Sequence, residues 1–550
     1  MITNDEIKEK LINDLERESM KLYFRKELTS KEKGEEWNDM QGLITRGYRR
    51  LLYATYLMIK IEREDVEAAK LYFNDLIKCI TTEGKIRREA FDKNQNVHGD
   101  PDEAVQIAFS AKGLEKLGVI DKVLKTFSRE FLEGMSPCDS GPDGERATIL
   151  GDCKKSKAEN WHWGNSVKPV DCMLMLFAKN KKGLDDLILK VFTNLPMSVT
   201  VVYTADTLPL SEKESDKELK EHFGFRDGMS QPIIKGFSKS GNLDINESHL
   251  INAGEFILGH KNQYNNYSPG PYVAENDGSP EYAALPDRRG NVKNLGLNGT
   301  YLVFRQMEQH VEKFWNFLYN HSREDGLTKA EKAVNLAAKM VGRFPNGDPL
   351  VQTPGTCPFN KELLNNFGYA KSDKDGVQCP LGAHIRRTNP RDQVHAGRNE
   401  KDSLEMTKTH RLLRRGRIYG EPLDEDFDIN KMIANSISHN PNETNETEDE
   451  NKPIEIKRGL HFICLVSDIA RQFEFVQNVW ANTPTFANLV NEVDPIISNR
   501  SVKGLPACDE FTVPKENVRN RYKEVPEFTT VVGGEYFFMP NIRALKYILK

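Results

Sequence analysis

Apolar positions along the chain fall into short strand-like runs, each followed by a segment with the spacing of an amphipathic helix. The run Leu51–Ile61 predicts a buried strand, and Asp65–Ile80 repeats its apolar residues at helical spacing. A second strand over Ala104–Ser110 then leads into a short helix, Ala111–Leu117, which ends at Gly118. Strand, helix and strand joined by short turns indicate an α+β architecture.

The same scheme recurs twice further along the chain. Val170–Ala178 predicts a strand and Lys182–Leu195 a helix. Near the end, Gly459–Ser467 predicts a strand, Ala470–Trp480 a helix, and Phe528–Phe538 a strand that its two glycines interrupt. Two αβ units separated by a long middle region are typical of a duplicated fold. The halves share too little identity for the sequence to establish the duplication.

Composition narrows the class of protein. The chain has 550 residues, 38% of them hydrophobic, which favours two domains or one large duplicated unit. A net charge of -5 with mixed signs throughout argues against a nucleic-acid partner. No apolar run approaches the roughly 20 residues of a membrane-spanning helix, so we expect no membrane.

The charged segment at the start of the chain lacks the apolar core of a secretory signal, so we expect a cytoplasmic protein. Its eight cysteines should then stay reduced. They form no CxxC pair, which argues against a structural zinc site.

Two segments concentrate glycine, charge and proline. In the first, Gly224 and Gly228 flank Asp227 and allow backbone bends on either side of it. This Asp either caps an ordinary turn or is presented by the turn for chemistry.

The second segment, Cys379–Arg391, places His384 after small residues that leave room for a flat cofactor. The imidazole is either a hydrogen-bonded core or surface histidine, or an axial ligand of haem iron. Cationic side chains of this region form either a solvated face or the partners of haem propionates: Arg386, Arg387, Arg391 and Arg414.

Taken together, these segments resemble one family. The run GFRDG at 224–228 resembles the GxxDG signature of dye-decolorizing peroxidases. CPLGAHIRRTNPR at 379–391 resembles that family's proximal-histidine segment, and HRLLRRGRIYG at 410–420 its distal-arginine segment. Further stretches are also similar, at 41–47, 108–114, 254–259, 298–305 and 534–540. The resemblance spans roughly residues 40 to 550 in family order, and is greatest to the longer, unexported forms.

The resemblance implies a pair of ferredoxin-like α+β domains with antiparallel sheets, as in dimeric α+β barrels. The expected organisation is a helical extension over 1–39, one domain over 40–240 and a second, haem-binding domain over 241–550. The polar, acidic stretch near 438–451 is expected to be a mobile insert. The extension is a candidate interface for a homo-oligomer.

The activity implied is that of a haem b peroxidase, which reduces hydrogen peroxide and oxidises bulky aromatic or dye-like donors through a ferryl intermediate. His384 takes the proximal iron position, and Asp227 and Arg414 face the opposite side of the ring. Asp227 would move the peroxide proton, and Arg414 would stabilise the departing oxygen's charge. A carboxyl has an unperturbed pKa of about 3.9 against about 6.5 for imidazole, so we expect an acidic optimum.

Three further residues each allow two interpretations of their role. Asp494 is either the carboxylate partner of the proximal histidine or a turn-forming residue before Pro495. Arg305 is either a propionate partner or part of a surface salt bridge. Trp480 is either an electron relay to bulky donors or a buried residue at a helix end.

Two other functions compete with the peroxidase. One is a haem-binding or iron-extracting protein of the same fold without rapid turnover; the presence of both Asp227 and Arg414 favours catalysis. The other is a scaffold without haem, whose glycine-rich turns serve assembly alone.

Overall fold

The computed structural model describes residues 36–86, 101–136, 145–210, 219–237, 249–274, 292–351, 364–393, 399–438, 457–500 and 508–550. Nearly all of the predicted extension over 1–39, and the acidic insert from 439 onward, lie outside these residues.

The described elements alternate between strands and helices along the chain. The strands are β1 (Tyr53–Ile61), β2 (Glu103–Phe109), β3 (Cys172–Ala178), β4 (Val199–Asp206), β5 (Ile233–Ile234), β6 (Leu250–Ile251), β7 (Tyr272–Ala274), β8 (Val292–Asn294), β9 (Thr300–Gln309), β10 (Leu413–Arg414), β11 (Arg417–Tyr419), β12 (Gly459–Val466), β13 (Phe511–Pro514), β14 (Arg519–Tyr522) and β15 (Thr529–Met539). 

The α-helices of the described part are short to medium in length, and two further stretches, Ala470–Glu474 and Val476–Ala481, are π-helical. The α-helices are α1 (Val66–Ile77), α2 (Ala111–Lys116), α3 (Asp121–Leu124), α4 (Arg129–Glu133), α5 (Glu145–Leu150), α6 (Lys181–Phe192), α7 (Val311–His321), α8 (Lys329–Val341), α9 (His384–Thr388), α10 (Glu400–Lys408), α11 (Ile429–Ser438) and α12 (Ile542–Ile548). Within the described ranges, no helix combines the length and the apolar character needed to cross a membrane.

The main sheet consists of two halves with the same topology. Its order is β10-β12-β9-β15-β2-β3-β1-β4, and β11 also pairs with β12. Numbered in chain order within each half, the strands of both halves follow the order second-third-first-fourth: β2-β3-β1-β4 in the first half and β10-β12-β9-β15 in the second. All of these pairings are antiparallel. The ferredoxin-like α+β fold and its duplication are thereby confirmed. The domain boundary near 240 stays a prediction, although the two halves fall on either side of it.

The sheet curls until its two ends approach each other. The ring of Tyr56 on β1 lies 5.8 Å from that of Phe304 on β9 and 5.9 Å from that of His461 on β12, although these strands are not neighbours in the sheet. Beyond β4, the backbone N–H of Leu208 donates to the carbonyl of Ile418 on β11, at 2.8 Å. One face of the sheet therefore encloses a barrel-like core, and helices cover the other face.

The alternation of side chains along each strand explains why both faces are occupied. On β9, Phe304 points into the barrel core, and its neighbour Arg305 points to the outer side. The central strand β3 is buried at every residue, because it lies between β2 and β1 and is covered on both faces. This double burial is why the sequence shows a continuous apolar run there.

Several elements differ from the sequence-based expectation. The prediction missed β4, whose residues 199–206 mix threonine with valine, and also the middle helices α7 and α8. β15 continues through its two glycines, with a register shift between Val531 and Gly533 in place of an interruption. The predicted helix over Ala470–Trp480 is largely π-helical.

Gly113 and Gly183 give a matched test of packing. Each is the third residue of its helix, and each backbone N–H is capped, by Ser110 and Asn180 respectively. A Cβ at Gly113 would lie 1.9 Å from the backbone oxygen of Asp171, whereas at Gly183 its nearest contact is an ordinary 3.4 Å. We expect Gly113→Ala to lower the free energy of unfolding by about 1–3 kcal/mol, and Gly183→Ala to raise it by up to about 1 kcal/mol. Denaturant unfolding measures both, and equal effects would contradict this packing.

Buried histidines make the fold sensitive to acid. Burial lowers the pKa of each to about 4 in His222, His249, His410 and His461. Unfolded histidines take up protons near pH 6.5, so between pH 6.5 and 4 the unfolded chain binds more protons than the folded chain. The free energy of unfolding should therefore fall as pH falls through this window, by about 1–2 kcal/mol per histidine between pH 7 and 5. Replacing His461 by Asn should reduce the slope of unfolding free energy against pH; an unchanged slope would contradict the assignment.

Candidate active site

A cavity opens on the outer face of the second half of the sheet. Its walls are made by β9, β12 and β15, by α9, and by the segment that follows residue 219. Five of the residues singled out from the sequence line it: Asp227, Arg305, His384, Arg391 and Arg414. Apolar side chains make up much of the remaining wall, among them Phe223, Phe225, Met307, Val341, Ile385, Leu460, Phe462, Phe473, Ile496 and Val531.

His384 is the first residue of α9, directly after the turn that ends at Ala383. Its Nδ1 lies 2.9 Å from Oδ2 of Asp494, and its side chain is 25% exposed. With Nδ1 engaged, the remaining ring nitrogen, Nε2, is the one available to a ligand. A carboxylate that fixes the imidazole through its other nitrogen is the arrangement seen around metal-binding histidines.

Asp494 is fully buried, 110 residues further along the chain. Its second oxygen, Oδ1, accepts hydrogen bonds from the backbone N–H groups of Ile496 and Ile497, at 2.8 and 3.0 Å. Burial by itself raises the pKa of this carboxyl, but His384 and the two N–H groups outweigh burial and hold the pKa below its ordinary value. The structure therefore combines both sequence readings of Asp494, since it caps a turn and pairs with the histidine.

Asp227 is presented by a tightly braced turn. Gly224 and Gly228 have φ values of +92° and +72°, a region that favours glycine. The backbone N–H of Asp227 donates to the carbonyl of Leu219 at 2.7 Å. The carboxylate of Glu221 accepts from two backbone N–H groups inside the turn, each at 2.9 Å. The turn thereby holds Asp227 at the cavity wall.

Arg414 reaches the same part of the cavity from β10. Its Nη1 lies 3.7 Å from Oδ1 of Asp227, and both side chains are about one third exposed. Its Nη2 donates to the carbonyl of Met229. The adjacent Arg415 points elsewhere and donates to the carbonyls of Leu43 and Ile44. A carboxylate and a guanidinium thus lie side by side at the cavity wall.

Arg305 lines the cavity, but its charge is already paired. Nη1 donates to Oδ2 of Asp152 at 3.0 Å, and Nη2 donates to Oδ1 of the same carboxylate. Both side chains are almost fully buried, at 4% exposure each. The salt bridge is therefore internal, unlike the surface pair considered from the sequence. The role of Arg305 toward a propionate stays a prediction.

A cluster of buried arginines was only partly visible in the sequence. Arg343, Arg391 and Arg411 line the cavity and are 5–7% exposed. Arg343 and Arg391 each donate to Oγ of Ser230, at 2.8 and 3.1 Å, and Arg411 donates to its carbonyl at 2.8 Å. Within the described residues, none of the three forms a salt bridge with a carboxylate. Burial, and next the neighbouring arginines, lower the pKa of Arg343 and of Arg411 to about 9.

This arginine cluster is a strong signal for an anion. Buried guanidinium groups are destabilised unless negative charge compensates them. Arg411 lies in the segment 410–420, whose resemblance to a family motif could have indicated it from the sequence. Arg343 follows α8 and belongs to no such motif. Of the other arginines considered, Arg386 pairs with Asp373 and Arg387 donates to backbone carbonyls, so neither lines the cavity.

Trp480 is buried, with 2% exposure, against His410 and Phe475. Its role as a relay stays a prediction. The six cysteines in the described ranges are free thiols. In the same ranges, no group of three or more His, Cys, Asp or Glu side chains is arranged to hold a metal ion.

An α+β barrel whose outer cavity combines a carboxylate-backed imidazole with a carboxylate–guanidinium pair is the arrangement that the resemblance to haem-dependent peroxidases implies. Comparison with known proteins points to the same class. The sequence model described as "DyP dimeric alpha+beta barrel domain" matches residues 39–208. The chain is 25% identical over 488 residues to dye-decolorizing peroxidase msp1 of Mycetinis scorodonius, covering 86% of this chain and 80% of that protein.

Other relatives agree with this assignment. Identity is 29% over 390 residues to the multifunctional dye peroxidase DyP2 of Amycolatopsis sp., covering 70% of this chain and 72% of that one. The solved structure of an ancestral D-type dye-decolorizing peroxidase superposes with a TM-score of 0.70 at 26% identity, covering 93% of this chain and 99% of that chain. Residues 39–208 thus belong to the DyP α+β barrel domain family, and the relatives extend the similarity to dye-decolorizing peroxidases over most of the chain.

Proposed function

We propose that this chain is a haem b peroxidase, which reduces hydrogen peroxide and oxidises bulky aromatic or dye-like donors. One observation carries the proposal. The imidazole of His384, which is paired with the buried Asp494, lines the same cavity as the Asp227–Arg414 pair, although Asp227 stands 157 residues before His384 and Asp494 stands 110 residues after it. A protein that only carries haem has no need of the second pair.

The residues present fit haem b. The three buried arginines of the cavity, Arg343, Arg391 and Arg411, suit the two propionates of that group as charge partners. The apolar side chains around them suit a porphyrin plane. Haem bound covalently as in c-type proteins would need a CxxCH motif, which the sequence lacks. A non-covalent haem b is therefore the form that we propose.

When bound, haem supplies the iron at which peroxide is reduced. His384 would hold that iron through Nε2, since Nδ1 is engaged by Asp494. The buried carboxylate keeps the proton on Nδ1 and fixes the orientation of the ring. It also makes the imidazole a stronger electron donor, which favours the higher oxidation states of iron.

Asp227 and Arg414 have different roles in the cleavage of the O–O bond of peroxide. Breaking the O–O bond of peroxide requires that a proton move from one oxygen to the other, and Asp227 is the carboxylate placed to accept and return it. Arg414 keeps its proton and stabilises the negative charge that develops on the departing oxygen. Partial exposure of both side chains leaves them accessible to a molecule as small as peroxide.

Haem binding tests the role of His384. Purified protein reconstituted with hemin should show a Soret band, and His384→Ala should lose or strongly shift it because the iron loses its protein ligand. His321→Ala, which changes a histidine on α7 that does not line the cavity, is the matched control and should keep the spectrum. A colourless wild-type protein, or an unchanged spectrum in His384→Ala, would refute the assignment.

Peroxide reduction tests the role of Asp227. We expect Asp227→Asn to lower kcat/KM for peroxide by about 10²–10⁴, since the amide cannot carry the proton. Asp426→Asn changes an exposed carboxylate that does not line the cavity and should leave the rate unchanged. Steady-state rates over a range of peroxide concentrations, with the haem content of each variant matched, measure the effect. A wild-type rate in Asp227→Asn would exclude the carboxylate as the proton carrier.

A further inference from the structure

A buried tyrosine and a buried glutamate form a hydrogen-bonded pair that the proposed mechanism does not use. Tyr536 lies on β15 and has no exposed surface. Its hydroxyl donates to Oε1 of Glu474 at 2.7 Å. Glu474 is the last residue of the π-helical stretch Ala470–Glu474 and is 5% exposed. Such π-helical turns are frequent at functional sites.

The pair lies one aromatic ring away from the cavity. Phe473 lines the cavity, and its ring centroid is 6.2 Å from that of Tyr536, in an edge-to-face arrangement. Phe462, also in the cavity wall, lies 6.2 Å from Phe473. The phenol is therefore close to the proposed haem site but closed to solvent and to external donors.

The hydrogen bond of Tyr536 distinguishes it from other buried tyrosines. A phenol that loses one electron becomes a strong acid, so its oxidation is favourable only where a base takes the proton. Tyr72 donates to a backbone carbonyl, which is not such a base. The hydroxyl of Tyr301 accepts a hydrogen bond from the N–H of Ser128, and that of Tyr56 has no hydrogen-bond partner among the described residues.

Glu474 is well placed to hold a proton for a short time. Nη1 of Arg146 lies 2.6 Å from both of its oxygens. Arg146 also donates through Nη2 to Glu133, which reaches the surface, at 2.5 Å. Burial raises the pKa of Glu474 above its ordinary value although Arg146 opposes the rise, which makes the carboxylate a better proton acceptor than an exposed one.

We propose that Tyr536 is an internal electron donor, which reduces the peroxide-oxidised haem when no external donor is available. This inference rests on the proposed function. Tyr536 gives one electron to the oxidised haem, and its phenolic proton moves to Glu474 as the O–H bond breaks. The products are a neutral tyrosyl radical, a neutral Glu474 and haem reduced by one electron. An electron from a later donor and the proton returned by Glu474 restore the phenol.

Electron paramagnetic resonance tests the proposal directly. The hemin-loaded protein is mixed with one equivalent of peroxide without donor and frozen, once with ordinary and once with ring-deuterated tyrosine. We expect a radical signal that narrows on deuteration, and its loss in Tyr536→Phe. Tyr301→Phe removes the hydroxyl of another fully buried tyrosine on the same side of the sheet and should keep the signal.

Glu474→Gln provides a second arm, because the amide keeps the size of the side chain but cannot take the proton. Its signal should be lost although Tyr536 is present. A signal of wild-type intensity in Tyr536→Phe, or no tyrosyl signal in the wild type, overturns the inference while the peroxidase activity stands. Failure of the wild type to bind hemin or react with peroxide overturns the proposed function, and this inference with it.

Discussion

The carboxylate of Asp494 is charged although it is fully buried. The stability of the cavity and the orientation of His384 both depend on how that charge is compensated. One oxygen meets two backbone N–H groups and the other meets the imidazole of His384. A buried charge that lost either set of partners would be strongly destabilising. The same contacts that make the charge tolerable also fix which nitrogen of His384 faces the cavity. Stability and ligand geometry are therefore set by one interaction.

Positive charge is concentrated in another part of the cavity wall. Arg343, Arg391 and Arg411 meet around Ser230, and their hydrogen bonds go to neutral oxygens. Neutral acceptors satisfy the donors but do not cancel the charge. A dianionic cofactor would cancel much of it, so the cavity is most stable when it is filled. Haem binding and folding are then linked, because a ligand that binds only the folded chain stabilises it.

The curled sheet is a single layer of strands, and it separates two chemical environments, one on each face. Toward the barrel core, β9 and β12 present Phe304 and His461 in an aromatic interior. On the outer face, the residues next to them, Arg305 and Phe462, line the cavity. The buried salt bridge between Arg305 and Asp152 also lies on the outer side of the sheet. Period-two alternation along the strands is what keeps the two environments apart.

The sequence predicted the elements whose signals are local. The apolar runs of β1, β2, β3 and β12 are continuous because covered strands bury both faces, and the helices that follow them repeat at helical spacing. The turn that carries Asp227 was visible because glycine is required where φ is positive. Elements without such signals were missed. β4 mixes threonine with valine, and the register shift in β15 depends on its neighbour β9.

The sequence also predicted individual residues of the site, because His384, Asp227 and Arg414 stand in short runs that resemble a family's motifs. Their partners were not. Arg305 pairs with Asp152 across 153 positions, and Arg343 has no motif around it. Which charges meet is decided by where distant segments pack in three dimensions, and hydrophobic spacing carries no information about that. The sequence by itself determined the fold class and the chemical groups; the tertiary structure decided which groups face each other and which remain to bind a ligand.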